Sequence, residues 1–264
     1  MKRTLLSIMI VASVMAAARE TQPDLRVLGQ FNSGLGLLVS SGFDSTSDHV
    51  WVYGGSDRDL RSYTGTGGLL SSIEAPGENA NDVDIDFAPE ALTIGSTAVP
   101  AGSLLFINGE TGAADIYAVD KTTGAIIATL NTAFGVSHVV GGAYHPGRKT
   151  FFLVQDNQPG AAQANRIAEI DPRTGRVLNT FQITSPFSVY YGDLEVSAAT
   201  GNLFVVSSSE SRVAEFTPAG AFVRYWALPS GVRSLSGIGF DDARGEAWVS
   251  GTDGTVWRLG GFGP

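Results

Sequence analysis

One spacing recurs along the chain and limits what it can fold into. An apolar or aromatic residue stands eight positions before an aromatic one, with a polar turn between. The pattern runs from Phe43 to Trp51, Tyr144 to Phe152, Val196 to Phe204 and Phe240 to Trp248. A fifth copy begins at Phe87 and reaches Phe106 with 11 extra residues, among them Pro89, Gly95 and Pro100, which mark an inserted loop. Each copy is followed by a short apolar strand and a second turn. Asp120 to Gly124 and Asp171 to Gly175 share the form Asp-x-x-Thr-Gly, and Gly67 and Gly220 close looser versions. Asp opens such turns by bonding its own backbone, and Gly supplies a positive φ. A fourth strand is predicted after each turn, over 69–73, 126–130, 177–183 and 222–228. Four strands per unit of about 40 to 50 residues is the signature of a β-propeller blade.

The last unit has only three strands, ending near Leu259, while a spare strand over 25–31 precedes the first unit. Placed as the fourth strand of the last blade, it closes the ring and removes an exposed edge. The expectation is an all-β, five-bladed β-propeller forming a single domain over 25–259. The alternatives are six blades, with a degenerate unit at 76–103, and a β-sandwich or irregular barrel. The 33 glycines and only 16% charged residues suit short strands and tight turns.

The first 18 residues read as a secretory signal peptide. Lys2 and Arg3 precede an uncharged, mostly apolar stretch from Leu5 to Ala18, and Ala16 and Ala18 form a small-x-small cleavage site. The stretch is short for a membrane span, and no later one approaches spanning length. The protein is therefore expected to be secreted or periplasmic, with no integral membrane segment after cleavage. Loss of Lys2 and Arg3 leaves 15 basic against 26 acidic residues, a net charge of −11. So acidic a chain is expected to repel nucleic acid, whose binding needs clustered Lys and Arg. With no cysteine, disulfides, thiol nucleophiles and Cys-ligated zinc are excluded.

These units resemble those of exported bacterial propellers of the NHL, YVTN and SdiA-regulated kind. The run from Gly192 to Phe216 is similar to the last in its acidic pair, its Ser-rich strand end and its Arg-x-x-x-Phe strand. The resemblance implies an architecture for most of the chain but reaches motif level over only about 60 residues, and propellers carry unrelated activities.

The candidate chemistry lies in the predicted first strands, which line the channel. In Asp82-Val-Asp-Ile-Asp-Phe87 the acids alternate with apolar residues, as in Asp193-Leu-Glu-Val196. The other blades carry small residues there: Ser40 and Gly42, Gly141 and Ala143, Gly237 and Gly239. Blades 2 and 4 thus aim carboxylates where the others leave room. Asp82, Asp84, Asp193 and Glu195 are the expected ligands of a divalent metal, and all-oxygen ligation favours Ca²⁺. The competing reading is that these acids bond backbone N–H groups of neighbouring strands. An EF-hand is excluded, since Phe87 and Thr93 stand where its Gly and Glu should be.

His138 precedes a first strand and is the one histidine placed to reach the channel mouth. His49 and His145 fall in predicted turns, as solvated residues. No nucleophile elbow, phosphate loop or dinucleotide fingerprint is present. Besides a purely structural role as a surface or matrix protein, two functional readings follow. One is an exported module that binds or scaffolds a small ligand or an envelope protein. The other is a metal-dependent hydrolase, of lactonase or phosphoesterase type, using the channel acids.

Overall fold

A computed structural model describes residues 24–56, 58–77, 80–156, 165–184 and 186–262. The predicted signal peptide lies outside the described residues. Strand β1 (Arg26–Asn32) comes first in the chain and last in the ring. Blade 1 is β2 (Leu38–Asp44), β3 (His49–Gly54), β4 (Asp59–Tyr63) and β5 (Leu69–Glu74). Blade 2 opens with β6 (Val83–Phe87). The hairpin β7 (Leu92–Ile94) and β8 (Thr97–Val99) follows, then β9 (Leu104–Asn108), β10 (Asp115–Val119) and β11 (Ile126–Asn131). Blade 3 is β12 (Val139–His145), β13 (Thr150–Gln155), β14 (Arg166–Ile170) and β15 (Val177–Gln182). Blade 4 is β16 (Gly192–Val196), β17 (Leu203–Ser207), β18 (Arg212–Phe216) and β19 (Phe222–Ala227). Blade 5 is β20 (Leu235–Asp241), β21 (Glu246–Gly251) and β22 (Thr255–Gly260).

The ring has five blades, and β1 closes the fifth by antiparallel pairing with β22, from Arg26 opposite Gly260 to Asn32 opposite Thr255. The 11-residue insertion is not a sixth blade. It folds as the β7–β8 hairpin, whose Gly95 N–H donates to the Pro172 carbonyl of blade 3 at 2.9 Å. No helix among the described residues is long and apolar enough to cross a membrane.

The core lies between blades rather than within one sheet. Each of the five buried apolar clusters draws on two adjacent blades. Trp51, Phe152, Phe204 and Trp248 sit in these seams, each at most 3% exposed. Blade 2 differs from the expected register. Gly42 faces Trp51, Ala143 faces Phe152, Glu195 faces Phe204 and Gly239 faces Trp248. The matching pair in blade 2 is Asp86 and Leu105, not Phe106. Phe106 lies one residue further on, so its side chain turns to the opposite face and packs on Tyr53 of blade 1, ring centroids 5.5 Å apart. His145 also departs from expectation. It is buried at the end of β12, against Phe152 and within 3.1 Å of the Gly201 carbonyl, instead of being solvated.

Candidate metal centre

The five inner strands run side by side in the order β2, β6, β12, β16, β20 and back to β2. They approach too closely for ordinary side chains at the small positions. A Cβ on Gly141 would stand 2.5 Å from the Asp193 Cα, and one on Gly239 2.5 Å from the Phe43 N. The space that seemed left for carboxylates is instead occupied by neighbouring backbone. Asp84 therefore reaches across to blade 3 and accepts from the Gly142 N–H at 2.9 Å, while Ser40 of blade 1 donates to its other oxygen at 2.5 Å. Asp86 accepts from the Tyr144 N–H at 3.1 Å, and Asp193 from the Ile238 N–H of blade 5 at 2.8 Å.

Three tiers result along the axis. In the middle, Asp84 and Asp193 lie close enough to shift each other's titration, at 1% and 0% exposure. Burial raises both carboxyls, and their proximity adds to it for Asp193. Two carboxylates so placed require a proton or a cation between them. At the strand ends, Asp86 and Glu195 face a vestibule of about 320 Å³. Burial pushes Asp86 up to about 7, and burial with the charge of Asp86 lifts Glu195 well above its ordinary range.

Asp82 belongs to the opposite mouth, where the inner strands begin. The repeat explains what it meets there. In blades 1, 2, 3 and 5, the residue after the second strand donates its N–H to the carbonyl of the residue before the first: Gly55 to Leu37, Gly109 to Asp82, Asp156 to His138, Thr252 to Ser234. Blade 4 uses Ser208 and Tyr190 in the same way. A ring of paired residues thus circles this mouth, and in blade 3 the pair is His138 and Asp156. Gly109 lets blade 2 tuck in beside them, since a Cβ there would lie 2.2 Å from the Val139 carbonyl oxygen. His138, Tyr191 and Ser234, each just before an inner strand, hold left-handed φ values of 59°, 43° and 52°. For side chains other than glycine that costs roughly 1–2 kcal/mol each, and such strain gathers at functional sites.

The outcome is a group of three ligand atoms, from Asp82, His138 and Asp156, all within 4.8 Å of one another. His138 Nδ1 stands 2.5 Å from Asp82 Oδ2. Asp82 and Asp156 are buried, at 3% and 0% exposure, and the imidazole is a third exposed. Burial raises Asp82 to about 6; His138 opposes the rise, and the nearby charges of Glu110 and Asp156 add to it. Glu110 is fixed by the Asn81 and Asp82 N–H groups, at 2.6 and 3.0 Å. At the same mouth lies a cavity of about 420 Å³, lined by Asn81, the neighbour of Asp82 in the chain, and by Tyr191. The Tyr191 hydroxyl is raised by partial burial and by the charges of Asp82, Asp156 and Glu110.

Of the four acids expected as ligands, the structure brings Asp84 and Asp193 together in the middle and sets Asp82 and Glu195 at opposite ends. Among the described residues, the Asp82–His138–Asp156 group is the one set of three or more potential ligands within reach of one ion. Asp156 was missed by sequence reasoning. The signal was present: it is the acid at a repeat position otherwise held by Gly55, Gly109, Ser208 and Thr252.

Fold and mouth together define a five-bladed propeller with a polar site at one end of its channel. No protein-family model matches the sequence, and no curated protein matches it either. Among solved structures, a glutaminyl cyclase from Myxococcus xanthus is similar, with a TM-score of 0.61 over 90% of this chain and 96% of that one, at 12% identity. At that identity the likeness is one of fold.

Proposed function

We propose that the protein binds a divalent cation at Asp82, His138 and Asp156 and acts there as a metal-dependent hydrolase on a small ligand held in the adjoining cavity. The observation that carries this is the convergence of three ligand atoms within 4.8 Å beside a 420 Å³ cavity at the channel mouth. One imidazole with two carboxylates suits Zn²⁺, Mn²⁺ or Fe²⁺ better than the Ca²⁺ expected for oxygen ligands alone. Three protein ligands leave a position for water or substrate, and a metal there makes water a nucleophile near neutral pH. In this reading Asp84, Asp193 and Glu195 are structural: Asp84 and Asp193 tie inner strands together, and burial favours the protonated form of all three.

The export-like N-terminus and the resemblance to NHL, YVTN and SdiA-regulated propellers support a setting outside the cytoplasm, and the negative charge argues against a nucleic-acid partner. A binding or scaffold role has its own support. Tyr190, Tyr191 and Val136, near the same mouth, are 39%, 39% and 69% exposed, and exposed aromatics favour partner contact.

The test is metal content and Zn²⁺ and Mn²⁺ titration calorimetry on the wild type, His138→Ala and Asp156→Asn. One ion per chain, with affinity lost in both variants, is expected. Equal binding by variants and wild type, or none by any, would overturn the proposal. Because of the fold likeness, a glutaminyl peptide belongs among the substrates tried.

A further inference from the structure

The cavity beside Asp82, His138 and Asp156 also limits what can enter it. None of its lining residues is charged. Leu37 and Val39 give it an aliphatic side. Asn81, Tyr191, Ser234 and Thr252 line it with side chains that make no hydrogen bond among the described residues, so their donors and acceptors are open to a ligand. The charges of Asp82, Asp156 and Glu110 act on Tyr191 in its wall. An anion brought into the cavity itself meets no Lys or Arg among its lining residues. Phosphate sites are built from Arg, Lys or clustered N–H donors, and this cavity presents none of these side chains.

Resting on the metal-site reading above, we infer that the ligand is an uncharged carbonyl compound, an ester, lactone or amide, and not a phosphate ester or other anion. Its apolar part lies along Leu37 and Val39, its polar atoms meet the four open side chains, and its carbonyl faces the three ligand residues. The reaction that fits is hydrolysis with water as co-reactant. The water oxygen bonds to the carbonyl carbon, the bond from that carbon to the leaving oxygen or nitrogen breaks, and the leaving atom takes up a water proton.

Zn²⁺-loaded full-length protein is probed by saturation-transfer NMR with 4-nitroacetanilide and with 4-nitrophenyl phosphate, and by turnover of 4-nitrophenyl acetate against the same phosphate. The uncharged probe is expected to bind at least about tenfold more tightly than the phosphate, and the acetate alone to be turned over. Thr252→Lys, which adds a cation to the cavity wall, should shift the preference towards phosphate by about tenfold while Zn²⁺ affinity stays unchanged. Phosphate bound as well as the anilide by the wild type, or neither probe bound by protein that holds Zn²⁺, overturns the inference and leaves the metal site standing. A chain that takes up no Zn²⁺ removes the site and the inference with it.

Discussion

The two mouths of the channel are framed by the same five strands, yet they handle charge in different ways. At the vestibule end every carboxylate is answered from within the protein. Asp44 pairs with Lys121 and Asp241 with Arg244. Asp242 accepts from Ser197 and from the Ala198 and Ala199 N–H groups. Asp86 and Glu195, which lack a basic partner, are pushed by burial towards their protonated forms. At the other mouth two buried carboxylates flank one imidazole, a third carboxylate stands close by, and no basic side chain lines the cavity. The comparison teaches that the number of acids does not locate a metal site. What matters is whether their ligand atoms converge within reach of one ion and whether a nitrogen donor completes the set.

Four measurements sharpen or break this contrast. The largest effect is expected in the middle tier. Asp84→Ala leaves the Gly142 N–H and Ser40 hydroxyl without their acceptor in a dry site, at a cost of about 3 kcal/mol or more. Glu195→Ala, beside a cavity that admits water, should cost about 1 kcal/mol. Urea unfolding of both variants decides; equal losses would mean that the tiers do not differ in burial.

Next comes metal. Zn²⁺ at a hundredfold excess over Kd should stabilise the wild type by about 2.7 kcal/mol. That gain disappears in Asp156→Asn and survives in Glu195→Gln. A gain lost in the second variant and kept in the first would move the ion to the vestibule.

One part of the pH response comes from the vestibule. Asp86 titrates near 7 when folded and near 3.8 as an ordinary Asp. The folded state holds the proton more tightly, so this contribution is complete below about pH 4 and is lost as pH rises to about 7. Asp86→Asn should flatten that decline, and its melting temperature should fall less between pH 5 and 7.5 than that of the wild type, by about 5 °C. A steeper decline in the variant contradicts the assignment.

The smallest effect is expected at Lys149→Ala. Lys149 ties the β7–β8 insertion to blade 3 through Glu90, but its side chain is 62% exposed. The change should cost less than about 0.5 kcal/mol, and a larger loss in urea unfolding would make the insertion a structural part of the vestibule.

The blades were legible because propeller repetition is local. Eight-residue hairpins and Asp-x-x-Thr-Gly turns are written in consecutive residues, and so was the three-stranded last unit that required β1. The off-register placement of Phe106 was not legible, since the insertion hid where β9 resumes. The site was half legible. Alternation identified the channel face of Asp82, Asp84 and Asp86, and His138 was placed at the mouth. Alternation gives a face but not a depth. Four residues of strand from 82 to 86 span about 13 Å, too far for one ion, and the acids of β16 divide between the middle and the vestibule. Asp156 escaped because it stands just past the end of a second strand, and the mouth is built equally from the ends of first and second strands.

Anomalous diffraction from crystals soaked in Zn²⁺ or Mn²⁺ tests the central claim most directly. The account predicts a single strong peak bounded by Asp82, His138 and Asp156. A peak between Asp84 and Asp193 or beside Asp86 and Glu195, with none at His138, would contradict it.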